Sequence, residues 1–446
     1  MVFEINDAFL ENLSKLIISN NHKEITTLFS EVHFADIAEV LEEVDFDEAI
    51  YIIKLLDSEK TSEILTELDE DTREKILANL SAKEIAEEVG EMDSDDAADI
   101  IGELSEERQI RVINALEDKE LAADIKELLS YEENTAGALM AKELVKVYET
   151  WTVAGCMRRI RGQAKEVTRV HSIYVVDKED KLVGRLSLKD LIIAKSDQQI
   201  ADISKAKVDA VNVHEDDEEV AKIMTKYDLE AIPVVDDNNV LLGRITIDDI
   251  VDVLKEEAEK DYQMASGISE DVESSDSIWE LTRARIPWLL IGMLGGLFGA
   301  KIIGIFDLER NFELAFFIPL IAAMGGNVGI QSAAIVVQGL ANDSLKMENM
   351  FQKLLKELGI GLLNGIICSL IILGATFLLG YSIELSITVS ISLLAVIVFA
   401  ALFGTFIPLT LKKYNIDPAL ATGPFITTVN DVLGLFIYFM IGQAIL

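Results

Sequence analysis

The residue that most strongly suggests chemistry is Asp431, an acid inside the apolar run that follows Pro424 and continues to Leu446. An ionised carboxylate at the centre of a membrane helix costs roughly 2.5–3.5 kcal/mol on insertion scales, so it needs a partner. Thr427 and Thr428 precede it by four and three residues, which places both hydroxyls on its helical face. Oxygen ligands beside one carboxylate suit a hard cation. A protonated acid bonded to a neighbouring helix is the structural alternative.

A second polar stretch interrupts another apolar run, between Pro319 and Ser332. Its glycines allow close helix contacts or exposed backbone carbonyls. Asn327 and Gln331 are four residues apart and share a helical face. The glycines alone fit simple helix packing, whereas the added amides favour a polar pathway through the membrane.

These residues must be positioned by membrane helices. Five apolar segments each hold about 20 or more residues, enough to cross a hydrocarbon core about 30 Å thick. We predict a helical membrane domain over residues 286–446 with spans at about 287–306, 314–340, 359–380, 386–411 and 418–446.

Basic residues around the spans predict the orientation of the membrane domain. One set of flanks and loops carries Arg283, Arg285, Lys346, Lys353, Lys356, Lys412 and Lys413, and the opposite set carries Lys301 and Arg310. The positive-inside rule then places the N-terminal region in the cytoplasm and the C-terminus outside, in the cell membrane. Met1–Asn20 has no small-residue cleavage site typical of a signal peptide, which agrees with this orientation.

The negative charge is concentrated before the membrane domain. The chain has a formal net charge of −39, and residues 1–285 carry 69 acidic and 32 basic side chains. Such a region repels nucleic acid and anionic lipid and attracts cations. Ordinary solubilising charge is the alternative interpretation, but it does not account for an acid in the membrane.

Residues 1–130 read as short helices with a period of about twelve residues, which predicts an all-α superhelical domain. Two candidate capping boxes support the helix starts, Asp71 with Glu74 and Ser81 with Glu84. In this domain Asp95, Asp96 and Asp99 fall within about one turn. Three carboxylates so close repel one another unless something neutralises them.

Residues 136–262 change to a strand-and-helix pattern that occurs twice, at 171–190 and 230–249. The two stretches resemble a tandem pair of CBS modules, which we place at 136–200 and 201–260. In that family a Ser or Thr and an Asp after a glycine often hold the ribose and phosphate of an adenosine nucleotide such as ATP. The matching positions here are Ser187 with Asp190 and Thr246 with Asp249. Many CBS pairs bind no nucleotide, so both interpretations stay open.

An acidic helical segment follows the second module, and we predict a connecting helix over residues 250–285. A helix that joins a sensor to a membrane domain is well placed to act as a mechanical link. A passive solvated linker is the alternative, although it does not explain why the charges concentrate at this junction.

Over essentially its whole length the chain resembles the MgtE-type magnesium transporter family. The matching motifs are Gly325-Gly-Asn-Val-Gly-Ile-Gln-Ser332, Asp417-Pro-Ala-Leu420 and Asp431-Val-Leu-Gly434. The resemblance implies a homodimeric Mg2+-selective channel that binds Mg2+ through its cytosolic domains and closes. It implies a pore site at Asp431 with Thr427, Thr428 and Asn327. It also implies cytosolic Mg2+ ligands among Asp95, Asp96, Asp99, Asp216, Glu218, Asp228, Asp249, Asp252, Glu257 and Asp261.

The predicted fold class is therefore multidomain: an all-α superhelical N-terminal domain, an α/β tandem CBS domain and a five-span α-helical membrane domain. We expect a Mg2+ channel rather than an enzyme, because the four histidines are scattered and no phosphate-binding glycine loop or Cys/His metal cluster occurs. Two alternatives remain: an ion-coupled divalent-cation transporter, and a membrane-anchored CBS nucleotide sensor without transport.

Overall fold

The computed structural model describes residues 5–165, 167, 169–269, 272, 276–306, 312–341, 350–421 and 423–446. Arg310 and Lys346, two of the basic residues that predict the orientation of the membrane domain, lie outside the described residues. The chain divides into two compact units, Met1–Glu256 and Glu257–Leu446.

The first unit begins with short amphipathic helices, as the twelve-residue period predicts. Within the described residues they are α1 Asp7–Ile18, α2 His22–Ser30, α3 Phe34–Glu43, α4 Phe46–Ile53, α5 Ser58–Glu67, α6 Glu70–Ala78, α7 Ala82–Val89, α8 Ser94–Gly102, α9 Glu106–Ala115 and α10 Lys119–Leu128. The capping box of Ser81 and Glu84 at α7 is confirmed. The one predicted at Asp71 is wrong, because Asp69 caps α6 through the backbone N–H of Thr72 at 2.8 Å. Asp71 lies inside the first turn.

Two α/β modules follow. They contain α11 Ala136–Leu139, β1 Val145–Tyr148, α12 Val153–Gln163, β2 Ile173–Val176, β3 Leu182–Leu186, α13 Leu188–Ile193, α14 Ile200–Ile203, β4 Val211–Asn212, α15 Asp217–Tyr227, β5 Ala231–Val235, β6 Leu241–Thr246 and α16 Ile247–Ser266. The sheets have the same topology: β1 runs parallel to β2 and β2 antiparallel to β3, and β4, β5 and β6 repeat this order. The repeated pattern in the sequence therefore marks a repeated fold.

The hydrophobic cores show how these parts join. The first module has its own core around Val147 and Ile173. The core of the helical domain continues into the second module, from Leu13 in α1 to Val253 in α16. The helical domain is thus packed on the second module.

The connecting segment is less regular than the sequence analysis expects. α16 ends at Ser266, and Gly267 follows with a positive φ of 84°. The next helix begins at Ile278 behind a capping box formed by Ser277 and Glu280. Residues 250–285 therefore do not form one continuous helix, because a left-handed glycine ends α16.

The second unit contains the membrane helices. These are α17 Ile278–Ile305, α18 Ile318–Ala341, α19 Met350–Leu378, α20 Ile383–Lys413 and α21 Pro424–Ile445, with 3-10 turns at Phe312–Phe317 and Pro418–Ala421. Five helices in the described residues are long and apolar enough to cross a membrane. Their ends differ from the apolar segments because several helices continue into polar residues. Pro287, where the first apolar segment begins, lies inside α17.

The helix α20 forms the centre of this unit. In its most apolar window 61% of the residues are buried, against 11% in α17 and in α19. Its side chains Val389, Val396 and Ile397 pack against Ile321 of α18 and Leu435 of α21. The helix α21, which carries Asp431, is therefore held from one side by α18 and α20.

Candidate functional site

Asp431 is half-buried in the middle of α21. It lies beside α18 where that helix has a glycine: a Cβ built on Gly326 would be 3.8 Å from Asp431 Oδ1 and 3.1 Å from Thr427 Cγ2. The Thr427 hydroxyl donates to the carbonyl of Gly423 at 2.8 Å, which leaves its oxygen able to accept or to ligate. The structure thus brings together Asp431 and Thr427.

The other two predicted pore residues have different surroundings. Thr428 packs against α17, where a Cβ built on Gly295 would lie 2.0 Å from its methyl carbon. Asn327 follows Gly326 on α18 and is exposed within this chain. The Asn327 side chain is therefore accessible from outside this chain, whereas Thr428 contributes to helix packing.

The end of α16 contacts the beginning of the helix that carries Asp431. Gly423 has a positive φ of 56°, and a Cβ built on it would lie 2.1 Å from the carbonyl oxygen of Ala265. A Cβ built on Gly267 would lie 2.5 Å from Pro424 Cγ. Only glycine fits this approach at either position, so the two chain segments are in direct backbone contact.

The second candidate site lies in the first unit, at the start of α8. The hydroxyl of Ser94 donates to Glu143 at 2.8 Å and accepts from the backbone N–H of Lys142 at 2.8 Å. Arg244 of β6 donates to the Glu143 carbonyl at 2.6 Å, and its guanidinium lies 3.4 Å from the Asp93 carboxylate. These bonds hold the helical domain against the CBS modules.

Carboxylates crowd together around this contact. One oxygen each from Asp93, Asp95 and Glu143 lie within 4.8 Å of one another, a spacing that allows shared ligation of a cation. Desolvation by the surrounding protein, and then the charge of Asp249, raise the pKa of Asp95 well above its usual range. Such a group favours either a proton or a cation in place of bare charge.

The predicted α8 acids and those of α16 act on one another. Desolvation, followed by repulsion from Asp249, raises the pKa of Asp96 to about 7, and Asp252 adds to this repulsion. Desolvation, followed by the charge of Asp96, raises the pKa of Asp99 to about 7. Asp249 itself has a pKa raised to about 6, chiefly by desolvation. The side chains of Asp96 and Asp99 still reach solvent, so an ion has access to them.

The remaining predicted sensor acids have other surroundings. Asp216 caps α15 by accepting from the Glu218 backbone N–H at 3.2 Å, and Glu218 pairs with Lys222 at 2.7 Å. Asp228 ends α15 in a left-handed conformation. Glu257 pairs with Lys260 at 2.9 Å and, like Asp261, belongs to the second unit.

A cleft of about 320 Å³ opens between the two CBS modules. Ser187 and Asp190 line it, and the Ser187 hydroxyl donates to the Asp190 carboxylate at 2.7 Å, which lowers the pKa of that acid. Asp228 lines the same cleft. Its remaining lining residues are His171, Ser172, Arg185, Leu186, Lys205, Tyr227, Leu229, Glu230 and Ala231.

The corresponding residues of the second module have a different environment. Thr246 is buried, and its hydroxyl contacts Asp249 at 2.9 Å and Asp248 at 2.5 Å. Asp249 faces the α8 acids rather than the cleft that Ser187 lines. Asp249, which the sequence analysis assigns to both kinds of site, is thus placed with the acidic cluster.

Three further residues belong to the contact between the helical domain and the CBS modules and were not predicted from the sequence: Asp93, Glu143 and Arg244. Glu143 lies 49 residues after Ser94, and Arg244 lies 151 residues after Asp93, so no local spacing could have linked them. Asp93 precedes α8 directly and continues the run of acids at Asp95 and Asp96, a signal that was present in the sequence.

Together these features define a polytopic membrane protein with an acidic N-terminal region that contains two CBS modules. The family models named MgtE, a divalent cation transporter, and MgtE intracellular N domain match residues 318–441 and 32–134, and the CBS domain matches 136–197 and 200–256. The chain belongs to the MgtE family of magnesium transporters.

Individual relatives support this assignment. The chain is 38% identical to magnesium transporter MgtE of Thermus thermophilus over 73% of each chain. It is 38% identical to magnesium transporter MgtE of Enterococcus faecalis over 73% of this chain and 72% of the relative. A crystal structure of the cytosolic domain of the Mg2+ channel MgtE in complex with ATP has a TM-score of 0.51 and 32% identity, covering 54% of this chain and 98% of that one.

Proposed function

We propose that this protein is a Mg2+ channel for uptake across the cell membrane, in which Asp431 of two subunits holds the permeating ion. The observation that carries the proposal is the half-buried Asp431 beside Thr427 and Gly326. One carboxylate per chain leaves most positions around a cation unfilled. Mg2+ keeps several of its waters, so two aspartates facing a hydrated ion suit it. Entry is then favourable without preventing exit.

Exposed apolar faces in the first unit support a second copy as partner. Ile192 and Ile193 on α13 are 66% and 71% exposed, and Val251 on α16 is 57% exposed. α13 and α16 are the equivalent helices of the two modules, and both carry such a face. A homodimer that covers these faces also brings two copies of Asp431 into one assembly.

We propose further that cytosolic Mg2+ closes the channel through the acidic cluster. Moving a two-state equilibrium from 1:99 to 99:1 requires about 5.5 kcal/mol of differential binding. A site half-filled in the closed state contributes only about 0.4 kcal/mol. Several sites must therefore act together, in agreement with carboxylates contributed by α8, α16 and the segment before β1. Mg2+ bridges these acids, and α16 carries the change to Gly423 at the start of the pore helix.

The pore assignment is tested by Mg2+ flux into liposomes. Asp431→Asn is expected to lower the flux by at least about tenfold, because the amide removes the charge that holds the ion. Glu384→Gln is the matched control, since it removes an exposed acid at the start of α20 and should leave the flux unchanged. Wild-type flux in Asp431→Asn would refute the pore site. A reversal potential that follows a proton or sodium gradient would show that the protein is an ion-coupled transporter rather than a channel.

The cleft between the CBS modules supports a second function, nucleotide binding. Its size and its mixture of Ser187, Asp190, Arg185 and Lys205 suit a ribose and phosphates, and the similar cytosolic domain was solved with ATP. Asp190→Asn is expected to weaken ATP binding by about tenfold in calorimetry, whereas the exposed Asp197→Asn should not change it. Equal ATP affinities of the wild type and Asp190→Asn would contradict the proposal that this cleft binds ATP through Asp190.

A further inference from the structure

Asn430, the residue directly before Asp431, is buried without a hydrogen bond. Its exposed fraction is 1%, and within the described residues neither Oδ1 nor Nδ2 has a partner. Leaving a buried polar group unpaired costs about 1–3 kcal/mol. An apolar side chain of similar size avoids this cost, so the presence of an amide here calls for another reason.

The surroundings of the amide provide that reason. Asn430 packs against α18 at Gly329, where a Cβ would be only 1.9 Å from Asn430 Nδ2 and 2.8 Å from Ile426 Cγ2. Gly329 cannot move away, because its carbonyl is in contact with α20: a Cβ built on Gly404 would lie 2.4 Å from that oxygen. A methyl group at position 329 would therefore strike the amide, so Asn430 and Gly329 together fit at one position of α21 along α18.

The same face of α18 also carries the contact of Asp431. Gly326, one turn before Gly329, faces Asp431 and Thr427. Two consecutive residues of α21 thus engage α18 at two levels, the amide at Gly329 and the carboxylate at Gly326. A shift of α21 along α18 moves both contacts together.

We propose that Asn430 is a positioning residue for ion selection: its amide, packed at Gly329, fixes the register of α21 on α18 and so the position of Asp431 beside Gly326. The proposal rests on the proposed role of Asp431 as the pore ligand. A hydrated ion is recognised through its water shell, and sites of this kind require their groups within about 0.5 Å of the productive position. The register then influences which divalent cation passes.

The test is a double-mutant cycle in liposomes, measured as the ratio of Mg2+ flux to Mn2+ flux. Gly329→Ala and Asn430→Ala are each expected to change this ratio by about tenfold. In the Asn430→Ala background, Gly329→Ala should have a clearly smaller effect, because the clash with Nδ2 at 1.9 Å is gone and only the contact with Ile426 Cγ2 at 2.8 Å remains. Asn430→Ser, which also removes the amide and is smaller than asparagine, should behave like Asn430→Ala, and it carries the test if the alanine variant does not fold.

The matched control is Gly365→Ala in α19. Its Cβ would lie 2.6 Å from Leu394 Cδ1, a comparable clash at the α19–α20 contact. It should reduce the yield of folded protein and leave the flux ratio unchanged. A wild-type ratio in folded Gly329→Ala, or an equal effect of Gly329→Ala in both backgrounds, would overturn the proposal. Loss of flux in Asp431→Asn together with such a result would reject the positioning role alone, whereas unchanged flux in Asp431→Asn would reject the pore site itself.

Discussion

Arg244 shows how one side chain connects the helical domain to the CBS modules. It is 6% exposed, donates to the Glu143 carbonyl and lies 3.4 Å from Asp93. Asp93 is itself surrounded by acids, and desolvation and the charge of Glu143 raise its pKa although Arg244 opposes this. The guanidinium thus partly neutralises the charge of Asp93 among these acids.

We expect Arg244→Met to loosen this contact when Mg2+ is absent. Breaking a buried charged pair costs about 3–5 kcal/mol, and the lower figure applies because Asp93 remains partly exposed. Hydrogen exchange at the α8 amides of the full-length protein should accelerate accordingly, and saturating Mg2+ should restore most of the protection.

The control for Arg244 is Arg111→Met, which removes an exposed pair with Glu107 on α9. Surface pairs contribute less than about 1 kcal/mol, so exchange at α8 should stay as in the wild type. If Arg244→Met also exchanges like the wild type, Arg244 does not hold the helical domain in place.

At the level of single sites, the sequence could suggest residues but not which of them meet. Three acids within one turn led us to expect cation binding at α8, which stays a prediction, and the structure sets Asp96 close to Asp249 and Asp252. Asp228 was expected among these acids and lines the CBS cleft instead. Which acids meet depends on how α8 packs on the second module, and that packing joins residues far apart in the chain.

At the level of elements, the fold class predicted from periodicity and hydropathy is confirmed, while several helix ends are not as expected. Hydropathy finds the apolar part of a helix, so it placed the first span at Pro287 although α17 begins at Ile278. The break after α16 had a readable signal, because Gly267 follows the last helical residue, the position that favours a left-handed glycine. The contact of Gly423 with Ala265 had none, since it is tertiary.

The two CBS modules illustrate the same limit. Their sequences match, and their sheets have the same strand order. The helix α13 begins at an open cleft through Ser187, whereas α16 begins at the acidic cluster through Asp249. The difference arises because the core of the helical domain continues into the second module, where α8 lies against the start of α16. Equal motifs thus acquired different surroundings.

For the molecule as a whole, we expect the unequal charge distribution to make the packing of the helical domain depend on protons and cations. The first 285 residues carry 69 acids and 32 bases, and many acids meet where that domain contacts α16. Repulsion among these acids opposes the packing of the helical domain on α16 unless protons or cations neutralise their charges. Mg2+ and protons should therefore act in the same direction, toward the packed arrangement.

The pH dependence follows from the pKa values of Asp96 and Asp99, raised from 3.8 to about 7 in the packed arrangement. A raised acid pKa means that the packed form binds protons more tightly. The stability that protonation of Asp96 and Asp99 gives to the packed arrangement is fully present below about pH 4 and is lost as the pH rises through about 7.

Without Mg2+, fluorescence energy transfer between labels on α1 and the first CBS module should be higher at pH 6 than at pH 8. Adding Mg2+ should change the signal strongly at pH 8 and weakly at pH 6. The double variant Asp96→Asn/Asp99→Asn should flatten this difference, because neither amide titrates. A wild-type signal independent of pH would show that these acids do not control packing.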